Sequence, residues 1–525
     1  MISESFLLLN NDTHSEQFLN SLVAKSDSII EKDKVVESQK MKIQMSNYNN
    51  IYNDGEITLI FNGFLYNYKD LHEFLEEPVP TIVEYKRKIP LQEGEIEEKP
   101  SIKDYERISR QGEELKIVIQ LYKKYGIEYT LHILEGVFSL IIIDYNSYNE
   151  HAYLYVARDA FGVQPFYMVS NLDATPIYGF STEYKTIAKF EDLEGYSIKP
   201  IESGTYSKFS LSYKVHSSWE LEIQEKKYHL LGTSNILNVV LNDTEKEFIY
   251  RNICHDMVLS VNKLTHFIMK NSGNLAFTLH GGYNGLLSAF VIIYCSSNKM
   301  PMPKTYNIRL EGVELDNNVT HPKKVADFYQ AIHKELVVTS KDYFSAVEHV
   351  IRKIESYDKE KVRKGVADYL ISDFIASDTY NEDSIRDVFL FQDTGANEWI
   401  GKQTDDIKID CLEWDKKIRE QLSHINVPMK LLERKGTTTN GSVIPLFPFL
   451  DKRLVQYYLS VSPIIRKKHN LLTEAFIEFN RNLSSCNFDL LWDTNIIDKW
   501  MTEFLPSEIT EEEYYKQFWD DVIMV

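Results

Sequence analysis

The chain has 525 residues, enough for two or three domains, and is 43% hydrophobic and 26% charged, the balance of a globular protein with full cores. Its formal net charge of −20 argues against general nucleic-acid or anionic-membrane binding, because both want a basic face. No apolar run approaches a membrane span, and the start of the sequence has no basic region leading into a signal core. Cys254, Cys295, Cys411 and Cys486 are widely spaced and form no C-x-x-C pair, which reads as reduced, cytoplasmic usage with no metal site.

In chain order, short runs rich in Ile, Val, Tyr and Phe predict strands over Ser5–Leu9, Glu56–Phe61, Val137–Asp144, His151–Ala157, Phe166–Ser170 and Pro176–Phe180. Helical spacing predicts Tyr68–Leu75 and Glu113–Tyr125, the latter with Leu115, Val118, Ile119 and Tyr122 on one face. Glu76–Gly112 is charged and carries Pro78, Pro80, Pro90 and Pro100, so it reads as an inserted surface loop. Residues 1–209 form a first domain of antiparallel sheets with few helices, and 210–244 read as a linker.

From 245 to 525 the pattern changes to alternating helices and strands. A helix over Glu245–Lys270 precedes a strand at Leu275–Leu279, a glycine turn at His280–Gly285 and a helix at Leu286–Cys295. Strand Lys304–Leu310, helix Pro322–Ile332, strand Glu335–Thr339, helices Lys341–Glu355 and Val362–Ser377, and strand Asp387–Phe391 follow. Strands joined by helical crossovers imply a parallel sheet whose ligands bind at the carboxyl ends of its strands. A strand, glycine turn and helix also make a phosphate cradle, since free N–H groups and a helix N-terminus converge there. The tail, Asn470–Val525, reads as helical and structural.

Two motifs lie in the first half. Phe61-Asn62-Gly63-Phe64-Leu65-Tyr66-Asn67-Tyr68 is one, and Ala157-Arg158-Asp159-Ala160-Phe161-Gly162-Val163-Gln164-Pro165-Phe166-Tyr167 with Phe180–Lys185 is the other. Alone, the first is a turn and the second a charged hairpin. In this order, with Leu134–Phe138 between them, they resemble the amidotransferase domain of glutamine-dependent asparagine synthetases, which carries N-G-E-I-Y-N, L-x-G-x-F-A, R-D-x-x-G-x-x-P-L-Y and A-S-E-x-K. The second half resembles the same family. Leu279–Leu286 falls on L-S-G-G-L-D-S-S, and Ile354–Asp358 with Arg363 and Tyr369–Ser372 on I-E-T-x-D, an arginine and Y-L-x-S. Phe391–Gly401 falls on L-S-G-E-G-S-D-E-x-x-G, and Pro448–Leu454 on V-P-F-L-D-x-R-L.

The resemblance implies an α/β protein: an α+β four-layer antiparallel sandwich followed by a parallel-sheet adenylating domain of the PP-loop type. It implies a glutamine site at Asn62, Gly63, Phe64 and Glu114. It implies an ATP site at Leu279, His280, Gly281, Gly282, Asn284, Ile308, Gln392, Asp393 and Asn397, with ATP and Mg²⁺ as cofactors if the turn still binds them. Nucleotide or amino acid is the ligand class, and a homodimer or assembly partner is compatible with the family.

The differences fall on the chemistry. In the family an N-terminal cysteine attacks the glutamine amide beside its own amine, and the N-G pair supplies oxyanion donors. Here position 2 is Ile2, no cysteine precedes Cys254, and no arginine precedes Arg87 to hold the glutamine carboxylate. The glutamate of N-G-E is Phe64, and the acidic residue for the substrate amine is Glu114. In the turn, His280 replaces the first serine, Asn284 the aspartate, and Gly285 and Leu286 the last two serines. In the second loop, Gln392 and Asp393 replace Ser-Gly, Thr394 replaces the glutamate, and Asn397 replaces a metal-binding aspartate. No R-x-K-x-x-F segment follows Pro463. Three readings remain open: a member that has lost both half-reactions and serves as a binding or regulatory module, an active synthetase with atypical residues, or a building block of an assembly. The substituted positions favour the first.

Overall fold

The computed structural model describes residues 5–9, 35–38, 41–45, 51–75, 102–145, 151–171, 176–188, 194–212, 219–231, 242–270, 273–279, 303–313, 322–328, 330–380, 388–396, 410–423, 443–479, 494–506 and 509–524, with single positions at 190, 287, 290, 291 and 295. Two compact units divide the chain, Ile2–Leu230 and Leu231–Val525.

The first unit is built from two antiparallel sheets of six strands each. One has β1 (Ser5–Leu9), β2 (Val35–Ser38), β3 (Met41–Met45), β8 (Tyr167–Asn171), β9 (Ile177–Ser181) and β10 (Tyr196–Pro200), in the order β10-β8-β9-β1-β3-β2. The other has β4 (Ile51–Asn53), β5 (Ile57–Leu65), β6 (Gly136–Asp144), β7 (His151–Arg158), β11 (Thr205–Ser212) and β12 (Glu220–Lys227), in the order β12-β11-β7-β6-β5-β4. Alternation along β6 explains the layers. Ile141 and Ile143 join Ile60, Leu154, Val156, Phe166, Tyr178, Phe180, Phe209 and Trp219 in a core between the sheets. Phe138, Leu140 and Ile142 face the other way, into a core with Leu115, Val118 and Leu121 of the helix Ile102–Ile133.

Two expectations change here. The helix starts at Ile102, so Ile102–Gly112 is not loop. Ile102, Tyr105 and Ile108 recur every three residues, a helical spacing that the surrounding charge obscures. Its backbone breaks at Gly126, φ 77°, one residue past the expected end at Tyr125. The stretch 210–244, read as linker, contains β12, which pairs with β11. Glu220, Glu222 and Glu225 mask the half-buried Leu221 and Ile223, and charge of this kind is usual on an edge strand.

The second unit has a five-stranded parallel sheet. Its strands are β13 (Asn274–Thr278), β14 (Lys304–Leu310), β15 (His333–Val338), β16 (Val388–Phe391) and β17 (Val443–Leu446), in the order β15-β14-β13-β16-β17. Strand β16 is buried along its whole length, as a strand covered on both faces should be. The helix Asp243–Lys270 packs on β13, with Phe267 edge-on to Phe389 at 5.7 Å. The helix Ser340–Ile354 opens with a capping box between Thr339 and Asp342. It packs against the helix Lys359–Tyr380, and the helix Glu511–Met524 lies on both. The expected elements that fall on described residues are present, with ends shifted by a few residues at most except in Pro322–Phe328, which stops short of Ile332, while the expected turn His280–Gly285 and most of the expected helix Leu286–Cys295 lie outside the described residues. Among the described residues, no helix is long and apolar enough to cross a membrane.

Candidate functional site

In the first unit the candidate residues begin on β5. Asn62 pairs with Ser139, Gly63 with Phe138 and Phe64 with Val137 across the β5–β6 ladder. Gly63 has φ +129°, and a Cβ there would stand 1.8 Å from the Val137 carbonyl oxygen. Gly136 faces the same constraint from the other strand, with its Cβ position 2.2 Å from the Phe64 oxygen. The two backbones approach so closely that only glycine fits. Asn62 is buried, and Phe64 is half-buried with its ring edge-on to Tyr66 at 5.5 Å. Glu114 is buried in the helix Ile102–Ile133, which packs on β5. Ser139 was passed over in the sequence. Its hydroxyl is buried opposite Asn62 with no hydrogen-bond partner, and its one signal is a lone hydroxyl inside the apolar run of β6.

The Arg158-Asp159 pair has a structural role. Arg158 donates from Nε to the Gln164 oxygen, from Nη1 to the Ile201 oxygen and from Nη2 to the Gly162 oxygen, each at 2.7 Å. Asp159 accepts from the N–H groups of Phe161, Val163 and Gln164 at 3.1, 3.0 and 2.9 Å. Burial pushes the Asp159 carboxyl up, against the pull of these donors and of Arg158. The pair pins the turn between β7 and β8.

In the second unit, β13 connects outward to β14 while β16 returns on its other side, so the topological switch lies between β13 and β16. Ligands of such sheets bind in that crevice. Both candidate loops start there. Phe277 and Phe391 are paired at the last rung, with Leu279 and Gln392–Thr394 just beyond it. Leu279 is fully buried against Ala326 and Ala331, and its N–H donates to the Tyr306 oxygen at 2.7 Å. Ile308, two residues along β14 from Tyr306, is buried as well. The Gln392 N–H donates to the Leu446 oxygen of β17 at 2.8 Å, and the turn closes with Ala396 N–H on the Asp393 oxygen at 3.0 Å. Gln392, Asp393 and Thr394 are all buried, and Thr394 Oγ1 has no hydrogen-bond partner. Ile2, His280, Gly281, Gly282, Asn284, Gly285, Leu286 and Asn397 lie outside the described residues.

Among the described residues, the donor set does not fit Mg²⁺. A magnesium site of this kind wants paired carboxylates, and the described second loop offers one, Asp393, beside a neutral hydroxyl. Among the described residues no group of three or more His, Cys, Asp and Glu side chains could hold a metal ion.

A family model described as a glutamine amidotransferase domain matches residues 81–189. The match starts inside the stretch read as an insertion. Among known proteins, the chain is similar to the glutamine-hydrolyzing asparagine synthetases of Pongo abelii and Homo sapiens, each 25% identical over 435 residues, covering 80% of this chain and 69% of the relative. The enzyme of the same name from Mus musculus is 26% identical over 439 residues. Over most of its length, then, the chain is similar to asparagine synthetases at modest identity.

One family position reached through the sequence acquires partners that no local pattern announced. Arg363 is buried, with Nε on Glu511 Oε1 at 2.7 Å, Nη2 on Glu511 Oε2 at 2.6 Å and Nη2 on Asp498 Oδ1 at 2.5 Å. Burial opposes its charge, yet these two carboxylates hold its pKa above the ordinary arginine value.

Proposed function

We propose that this chain is a member of the asparagine synthetase family that has lost both half-reactions and acts as a binding or regulatory module of the cytoplasm. The observation that carries the reading is Thr394. It stands where the family has the glutamate associated with aspartyl-adenylate formation, and its hydroxyl is neutral, buried and without a hydrogen-bond partner. A neutral side chain there supplies none of the charge on which stabilisation of a phosphoryl-type transition state depends. Phe64 at the N-G-E glutamate gives independent support, since a phenyl ring cannot accept a hydrogen bond from a glutamine amine.

The surviving Asn62-Gly63 pair does not argue for an active glutaminase, because the approach of Val137 requires glycine at 63 whatever the chemistry. The reading leaves a nucleotide or amino acid as the ligand class, held by backbone groups such as those around Leu279 that tolerate changes of side chain.

The test is pyrophosphate release from ATP with aspartate and ammonia, run beside a glutaminase assay. No turnover above background is expected in either, and clear turnover in one of them sinks the proposal. Thermal melting with AMP and with Mg-ATP then separates a retained nucleotide pocket, which raises the melting temperature, from a scaffold that binds neither.

A further inference from the structure

Arg466 is a buried cation with donors left over. It sits in the helix Pro463–Lys468 and is 2% exposed. Its Nε donates at 2.9 Å to the oxygen of Val461, the residue that ends the helix Lys452–Ser460. Its Nη2 pairs with Asp415 Oδ1 on the helix Cys411–Ser423. Asp415 is itself divided, because its Oδ2 accepts from Arg419 Nε at 2.9 Å, so one carboxylate serves two guanidinium groups. The remaining nitrogen of Arg466, Nη1, has no hydrogen-bond partner for its two N–H groups.

A second orphan stands beside it. Trp414, one residue before Asp415, is buried, and its Nε1 has no hydrogen-bond partner either. The Arg466 guanidinium carbon lies 5.5 Å from the centre of the Trp414 ring and 5.7 Å from that of the fully buried Tyr458. The unpaired groups therefore share one neighbourhood walled by aromatic rings. All of them are donors, since neither guanidinium nor indole offers a lone pair. Leaving such groups unpaired when buried is costly, and most so for a charged one. A water could accept from two of them, but its own hydrogens would then need acceptors, and neither Arg466 nor Trp414 supplies one. A small anion accepts without donating. Its charge also complements a guanidinium that holds only a share of one carboxylate.

We propose that Arg466 Nη1 and Trp414 Nε1 form a buried binding site for a small monovalent anion of the halide class. Bound there, the ion bridges the helices Cys411–Ser423 and Pro463–Lys468. Asp415 already supplies part of the countercharge, so a monovalent ion suits the site better than a dianion. Binding to the folded chain alone makes its stability depend on the concentration of the ion. The site does not draw on the loss of catalysis, so the two readings fail separately.

The test is thermal melting of the full chain while chloride replaces gluconate at constant ionic strength. The wild-type melting temperature should rise along a saturating curve. W414F keeps an aromatic ring and removes the N–H, and its half-saturating chloride concentration should be at least about tenfold higher, as the loss of a donor to a charged acceptor implies. R466M should show no saturating response. Should R466M fail to fold, wild type and W414F decide between them. A wild-type melting temperature that ignores chloride overturns the proposal, as does an unchanged half-saturation in W414F. In crystals grown with bromide, an anomalous peak should lie within hydrogen-bonding distance of Arg466 Nη1 and Trp414 Nε1, and an ordered water there in place of bromide overturns it.

Discussion

Replacing Gly63 with alanine tests whether the N-G pair is held by packing. The new Cβ would lie 1.8 Å from the Val137 oxygen, 2.8 Å from the Val137 carbon and 2.9 Å from Phe138 Cα. All three are backbone atoms of β6, so no side chain can swing aside, and the strands must part by roughly 1 Å to reach tolerable contact. Parting them costs two or so ladder hydrogen bonds, at about 1 kcal/mol each. The φ of +129° adds strain of roughly 1–2 kcal/mol for a residue with a Cβ. The total is about 3–4 kcal/mol, or a rise of ~10²–10³ in amide exchange if opening is at equilibrium. Gly126 is the control: its φ is +77° and nothing stands within 4 Å of a Cβ there, so G126A should cost about 1 kcal/mol, near tenfold. Exchange read by mass spectrometry on Ile57–Leu65 and Gly136–Asp144 distinguishes the two. If G63A exchanged within about tenfold of G126A, the steric account of the pair would be refuted.

Further outcomes follow from other local geometries. R158M should destabilise the first unit by about 4 kcal/mol or more in urea, because three buried carbonyls lose a charged donor. A loss under about 1 kcal/mol would mean water replaces it. T339A should cost about 1 kcal/mol by opening the capping box at Ser340–Ile354. It should also change the acid limb. Bonds from the Thr339 hydroxyl and N–H hold Asp342 below its usual 3.8, so their stabilisation is fully present above that value and is lost as pH falls through the depressed one. Urea midpoints compared at about pH 5 and about pH 3 should therefore show a smaller acid loss in T339A than in wild type. Burial pushes the thiol of Cys254 up to about 12 and that of Cys295 up to about 11. Iodoacetamide near neutral pH should leave both unmodified in the native protein while half-exposed Cys411 reacts, and rapid labelling of Cys254 would contradict the packing.

The fold was legible where residues that favour extended chain run together. The sequence marks Ser5–Leu9 and Lys304–Leu310 to the residue. Strand β17 escaped notice because Pro445 argues against a strand, yet β17 is an edge of the sheet, where a missing N–H is tolerated. The crevice was legible as a place, since Leu279 and Gln392–Thr394 are adjacent in sequence to β13 and β16. The engagement of Arg363 was not. Asp498 and Glu511 lie 135 and 148 residues away, and nothing local to any of the three requires the others.

Motif residues kept here share a property that separates them from the substituted ones. Gly63 is required by the Val137 backbone. Arg158 and Asp159 bind six backbone groups between them, and Gly162, at φ +65°, supplies one of the carbonyls. Asp451 caps the helix Lys452–Ser460 through the N–H groups of Arg453 and Leu454 and pairs with Lys263 at 2.7 Å. Each would be needed by a protein that only had to fold. On the proposed reading, Phe64 and Thr394 stand where the motifs that the chain resembles have a carboxylate, and neither is charged. Similarity over 80% of the chain is therefore what the proposed loss of catalysis would leave behind, provided folding were still selected. Resemblance across motifs held by packing carries little weight for activity, whereas the side chains at 64 and 394 carry most of it.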